Sequence, residues 1–305
     1  MLDTEISEFL RQSDSFYPDD PISLSIGEQR ERYIALCRAF QYDYPEGLIA
    51  SDAAIEVNGG TVALRHYSPA ACRVSNTAIL YFHGGSFMLG SLESHDSICA
   101  DLSEAAALPL IAVDYRLAPE HRHPTQLHDA EAAFRYALSF FDRIIVTGDS
   151  AGGNLAASLS VTCRNNERKP IGQVLIYPSL GGELMDAESY VTHASAPALT
   201  TDHIHYYQRV RVDGDLPKSD PTFFPLVLDD FAAMPPCVGF SADIDPLRDD
   251  VVLYVDRLQT AGVYARAVNL SGLIHGFLRA RRVSAKAAAG FSQIADAICE
   301  LAESC

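Results

Sequence analysis

Basic charge is scarce in this chain of 305 residues: 23 Lys and Arg stand against 40 Asp and Glu, a formal net charge of −17. Nucleic acid and anionic membrane surfaces both need a basic footprint, so this balance argues against either as a partner. Cysteine is present without a framework. The seven residues (Cys37, Cys72, Cys99, Cys163, Cys237, Cys299 and Cys305) are odd in number, scattered, and never spaced as C-x-x-C. That pattern disfavours disulfide stapling and a thiolate metal site, and it fits a reducing compartment. The opening MLDTEISEFLRQSD has acids where a signal peptide has bases, and no segment reaches the roughly 18 apolar residues of a membrane span. The expectation is a cytoplasmic protein with no membrane insertion. Repeats and low-complexity segments are absent as well.

What is there reads as globular: 48% of residues are hydrophobic and 21% charged. The length is near that at which one core stops growing, which favours one large domain with an appendage. Up to Leu48 the periodicity is helical. Leu2, Ile6, Phe9 and Leu10 share a face, and Ser25 to Glu28 has the capping-box spacing that opens a helix carrying Tyr33, Ile34, Cys37 and Phe40. From Ala53 the signals become strand-like, with AAIEV and TVALRHY flanking Asn58-Gly59-Gly60 as a hairpin. Six apolar runs follow, at 78–82, 109–115, 143–148, 173–178, 236–242 and 265–270, separated by helix-length segments. Such alternation predicts an α/β fold with a mostly parallel central sheet flanked by helices. Strand signals lapse between about 180 and 230. The expected organisation is therefore a helical cap segment over 1–48 and a catalytic domain over 49–305, with a cap insertion at about 180–230 that forms a lid with the first segment.

Four stretches carry chemistry. In VTGDSAGGN, Ser150 sits between Gly148 and Gly152, after an apolar run and before helix-forming residues. Strand, sharp turn and helix is the context in which G-x-S-x-G marks a nucleophile elbow. Upstream, YFHGGSF leaves another strand into two glycines. Backbone N–H groups aimed at a developing oxyanion are worth roughly 3 to 4 kcal/mol each; Gly84, Gly85 and Ser86 are placed to supply them, with Ala151 completing the hole. A serine needs a base, and the base needs an acid. His275 in SGLIHGF lies just past the last core strand, whereas His83 belongs to the oxyanion loop. No set of Cys, Asp or Glu is arranged in sequence around the pairs His121/His123 and His203/His205, so no metal site is expected. For the acid, SADIDPLRDD offers four aspartates. Asp245 before Pro246 is preferred, Asp243 is the alternative, and Asp249 and Asp250 are expected to begin a helix.

The order Ser150, Asp245, His275 is that of α/β-hydrolases. With HGGSF (83–87), DYRLAPE (114–120), GDSAGGN (148–154), DPLRD (245–249) and HGF (275–277), the sequence resembles the hormone-sensitive-lipase family of α/β-hydrolases, the bacterial family IV esterases that include acetyl esterases. The resemblance implies the α/β-hydrolase fold with a helical cap, nucleophile Ser150, acid Asp245, base His275, and oxyanion donors from Gly84, Gly85, Ser86 and Ala151. Ser86 departs from the family's frequent third glycine. Asp149 is read either as ordering the elbow or oxyanion loop or as a helix N-terminal acid. Asp114, Arg116 and Glu120 read as a brace between loops. The predicted activity is a serine carboxylesterase acting on small esters with short acyl chains, with no cofactor. Phe87, Tyr206 and Tyr207 are expected pocket walls, and family habit implies a homodimer. The alternatives are an amidase or formamidase of the same fold, or a non-catalytic small-ligand-binding relative.

Overall fold

In the computed structural model, which describes residues 2–17, 20–71 and 76–304, the apolar runs pair into an eight-stranded sheet of order β1-β2-β4-β3-β5-β6-β7-β8. Strands β1 (Ile49–Val57) and β2 (Gly60–Ser68) form the expected hairpin, and Val57 pairs with Gly60 across Asn58-Gly59. Strand β1 begins four residues before the first apolar signal, because Ile49 to Asp52 lie on an exposed edge that needs no apolar run. Strands β3 (Thr77–Phe82), β4 (Leu110–Asp114), β5 (Arg143–Asp149), β6 (Gly172–Ile176), β7 (Cys237–Ile244) and β8 (Ala265–Ile274) run parallel.

The continuous apolar character of the central strands has a direct packing cause. Successive side chains point to opposite faces: Ile79 and Tyr81 of β3 enter one core, and Ala78, Leu80 and Phe82 enter the other. The first core is closed by helices α1 (Thr4–Asp14), α2 (Ile26–Ala39), α3 (Leu92–Ala106) and α9 (Ala285–Ser304). The second is closed by α4 (Thr125–Ala137), α5 (Ala151–Cys163) and α8 (Arg248–Thr260). Both helices expected before Leu48 are present, and Ser25 and Glu28 form the capping box. Among the described residues no helix is long and apolar enough to cross a membrane. Cys37, Cys99, Cys163 and Cys237 are free thiols; Cys72 and Cys305 lie outside the described residues.

Two short helices, α6 (Ser189–Thr192) and α7 (Thr201–Val210), occupy the insertion between β6 and β7. Polar ties hold both helical segments against the sheet's carboxyl edge. From α2, Arg30 binds Glu120 through two nitrogens and donates to the carbonyls of Met88 and Ala118. Of the DYRLAPE stretch, Glu120 thus braces α2, and Arg116 chelates Asp129. At the start of α8, Asp250 is fully buried and accepts from the amides of Leu180 and Gly181 and from the Tyr190 hydroxyl. Burial pushes its pKa up to about 7. Asp249 takes the Ser189 amide beside it.

Removing the Asp250 carboxylate leaves two buried amides without acceptors. Asp250→Ala should therefore destabilise the protein by about 2 to 4 kcal/mol, read from the denaturant midpoint. An unchanged midpoint would show that the insertion is held by its apolar contacts alone.

Candidate active site

The elbow around Ser150 is built by steric exclusion. A Cβ on Gly152 would stand 1.9 Å from the Phe82 carbonyl oxygen, and one on Gly148 would stand 2.5 Å from the backbone of Gly152. Only glycine lets α5 start that close to the neighbouring strand β3. The turn forces Ser150 to φ +56°, a left-handed value that L side chains rarely adopt. Its amide is held by the Ile176 carbonyl at 2.8 Å. The result places the hydroxyl between β5 and α5, at the positive end of the new helix.

His275 follows the end of β8, and its Nε2 lies 2.9 Å from the Ser150 Oγ. Its Nδ1 lies 2.7 Å from Oδ2 of Asp245, which is wholly buried just past β7 and accepts the Leu247 amide through Oδ1. With the Nδ1–H donating to the carboxylate, the Nε2 lone pair faces the serine. Asp243, two residues earlier, instead accepts from the Gly272 amide and from Asn269, so it braces the histidine loop from outside this line. The Tyr177 ring, centred 4.8 Å from the imidazole, packs against it, although no motif in the sequence marks this residue.

The oxyanion loop differs from expectation at one position. The Gly84 N–H donates to Oδ1 of Asp149 at 2.8 Å, so it is not a free donor. The amides of Gly85, Ser86 and Ala151 engage no protein acceptor among the described residues. Gly85 sits at φ +125°, where a Cβ would lie 2.3 Å from the Leu89 carbonyl, and Ser86 takes φ +57°. The loop is pinned from behind as well: the Tyr115 hydroxyl donates to the His83 carbonyl, and the His83 Nδ1 lies 2.8 Å from the Gly84 carbonyl. Burial pushes the His83 ring down to about 3, which keeps it neutral.

Asp149 is therefore the hub beneath the loop. Besides the Gly84 amide it accepts the Tyr81 hydroxyl at 2.7 Å and faces Nε2 of His95 at 3.3 Å. Burial alone would raise its carboxyl, but His95, Tyr81 and the nearby Arg279 hold it below the usual carboxylate value. Arg279 in turn donates to the Ser94 carbonyl and the Tyr33 hydroxyl. His95 and Arg279 carried no signal in the sequence, because each acts through partners distant along the chain.

Two cavities meet at Ser150. The larger, about 470 Å³, is lined by His275, Gly85, Arg279, Tyr33 of α2, Leu10 of α1 and His203 of α7, among others. The smaller, about 40 Å³, is lined by Ala151, Phe87, Leu247, Gln208 and Arg211. Of the expected walls, Phe87 lines the smaller cavity and Tyr207 lines both. Tyr206 lines neither; its hydroxyl turns to Gln29 on α2 at 3.3 Å. His123 pairs with Asp220 and His205 with Glu183.

Comparison with known proteins agrees with this architecture. A family model described as alpha/beta hydrolase fold matches residues 79–279. Esterase LipI of Mycobacterium tuberculosis is 35% identical over 77% of this chain and 76% of its own length. Ethyl acetate hydrolase of Pseudomonas putida is 31% identical over 79% of each chain. The solved structure of an ester hydrolase from the metagenome of Lake Arreo superposes with a TM-score of 0.90 at 31% identity, covering 98% of this chain and 99% of that one. The relatives are esterases of the kind to which the sequence motifs point, and this chain belongs to the α/β hydrolase fold family.

Proposed function

We propose that the protein is a serine carboxylesterase that hydrolyses short-acyl esters through an acyl-enzyme intermediate. The observation that carries this reading is the unbroken line from Ser150 Oγ to His275 Nε2 at 2.9 Å and from His275 Nδ1 to Asp245 Oδ2 at 2.7 Å. Three unengaged amides stand beside it. In the reaction, His275 takes the Ser150 proton as Oγ attacks the ester carbonyl. The tetrahedral oxyanion rests on the amides of Gly85, Ser86 and Ala151. His275 then passes its proton to the leaving alcohol, and a water activated by the same ring releases the acid.

The two cavities support a placement for each half of the ester. The leaving oxygen must receive its proton from His275, which lines only the larger cavity. The alcohol therefore lies on that side and the acyl group in the 40 Å³ space, which limits it to a few carbons. The helical segments on either side, up to residue 48 and from about 180 to 230, act as the cap over both. The free thiols at Cys37, Cys99, Cys163 and Cys237 fit a reducing, cytoplasmic setting.

Initial rates on p-nitrophenyl esters from acetate to palmitate test the assignment. We expect a peak at short chains and a loss of roughly 10⁴-fold or more in Ser150→Ala; an active alanine variant would remove Ser150 from the mechanism, and anilide cleavage without ester cleavage would favour an amidase. Because Asp149 holds the oxyanion loop through Gly84, Asp149→Ala should lower kcat by about 100-fold with little change in KM. A change confined to KM would place Asp149 in substrate binding instead.

The neutral ring of His83 adds a pH dependence. Between its pKa of about 3 and the ordinary 6.5, the unfolded chain binds a proton that the native state refuses. The stability from this group is complete above 6.5 and is lost as pH falls toward 3. A Tm series against pH should show a shallower acid limb for His83→Asn than for wild type, and parallel limbs would contradict the assignment.

A further inference from the structure

Arg211 ends α7 and is 4% exposed, yet no carboxylate among the described residues lies within ion-pair distance of it. Its Cζ lies 3.3 Å from the Phe87 ring centroid and 4.2 Å from that of Phe223. These rings compensate part of the buried charge. They offer nothing to its in-plane N–H donors. Among the described residues the only side-chain acceptor reached is Oδ1 of Asn154, at 3.4 Å, and the Nε has none. Asn154 cannot turn to do better, since its amide nitrogen is fixed on the carbonyls of Ser179 and Phe223. Asp220, the nearest carboxylate felt by Arg211, is engaged by His123 and Thr222. One turn earlier on α7, Gln208 is 8% exposed and its Nε2 is also without a partner. Burial has brought the Arg211 pKa down to about 9, so the group remains charged at neutral pH.

Both residues line the 40 Å³ cavity that also touches Ser150 and Ala151. A buried cation and a buried amide donor, each short of acceptors, are costly unless an acceptor arrives. The cavity that they wall is the one in which the reaction above places the acyl group. At about 10 to 15 Å³ per water, it has room for roughly three waters, the bulk of a methylene and a carboxylate.

We propose that the acyl group accepted here ends in a carboxylate: the substrates are half-esters of a small dicarboxylic acid of malonyl size, whose free carboxylate is received by Arg211 and Gln208. This rests on the esterase reading and names its substrate class. Hydrolysis then proceeds without further reactants. The ester C–O bond breaks, the acyl group passes to Ser150 and then to water, and the products are the alcohol and the dicarboxylate. Neutral acyl groups of the same shape would leave the Arg211 and Gln208 donors as unsatisfied as they are in the free protein.

The test compares monoethyl malonate with ethyl 3-methylbutanoate, which has the same branched skeleton without the charge. Rates are followed by pH-stat, and each kcat/KM is divided by the ester's rate constant with hydroxide. We expect wild type to prefer the malonate half-ester by at least about 10-fold, and Arg211→Met to reduce that ratio by about 10- to 100-fold, the range of a charge-assisted hydrogen bond. Equal or faster turnover of the neutral ester by wild type would overturn the inference, as would an unchanged ratio in folded Arg211→Met. If that variant does not fold, the wild-type preference decides, and Gln208→Leu should lower the same ratio. Hydrolysis of p-nitrophenyl acetate in parallel separates the two levels: no turnover of it or of either ethyl ester would overturn the esterase reading itself, whereas turnover with a preference for the neutral ester overturns only the half-ester inference.

Discussion

The contact on which the site depends is the approach of Gly152 to the Phe82 carbonyl, where a Cβ would stand 1.9 Å away. It brings the end of β3 and the start of α5 together more closely than any other residue type allows. Both halves of the candidate chemistry hang from this junction. The chain leaving Phe82 becomes the loop that carries Gly85 and Ser86, and the chain entering Gly152 carries Ser150 and Ala151. Parallel pairing of β3 with β5, Phe82 opposite Gly148, sets the two ends level. The Asp149 carboxylate then locks them by taking the Gly84 amide across the gap. The strain of a serine at φ +56° is sustained by neighbours that leave the turn no other path.

Charge below this junction is organised differently from charge beside it. Asp149, His95, Arg279 and Tyr33 draw β5, α3, the segment after His275 and α2 into one buried network in which the arginine has good acceptors. Such a network is stabilising only when its members are satisfied, and this one is fixed from four directions. Arg211 has the opposite environment, with two aromatic rings and one long contact to an amide oxygen. Two buried arginines at one site thus differ in what the protein itself provides. The difference separates a group tied into the fold from one facing the small cavity beside Ser150.

Most of the fold was legible because parallel strands buried on both faces announce themselves as short apolar runs, and each of the six runs from 78 to 270 lies on a strand. Ser150, Asp245 and His275 were legible for a related reason: each stands at a strand end whose position the apolar run marks. What escaped depends on direction rather than position. Gly84 was grouped with its neighbours as a donor, but its N–H belongs to Asp149, a partner 65 residues away that no local pattern ties to it. Tyr206 and Tyr207 are adjacent on α7, so they point about 100° apart; only the second reaches the cavities. The first four residues of β1 were missed because an exposed edge imposes no apolar pattern.

The two unequal cavities follow from where the base stands. A histidine that serves both the attacking and the leaving oxygen must lie on the leaving-group side of the serine, and here that side opens into about 470 Å³. The opposite side is closed by Phe87, Leu247 and the end of α7, leaving about 40 Å³. In the proposed reaction, selectivity for the acyl group would be set by a few side chains on one short helix and the loop after β3, while the alcohol would meet a broad surface from α1, α2 and α7. Changes in the cap's composition would then act mostly on the alcohol, with Tyr207 the exception because it borders both spaces. The acyl side has little freedom to change size without moving Phe87, which is held at φ +61° in the same strained turn that presents the Gly85 and Ser86 amides. In the proposed reaction, acyl specificity and oxyanion geometry are coupled through that turn, because Phe87 walls the narrow cavity and shares the turn with Gly85 and Ser86.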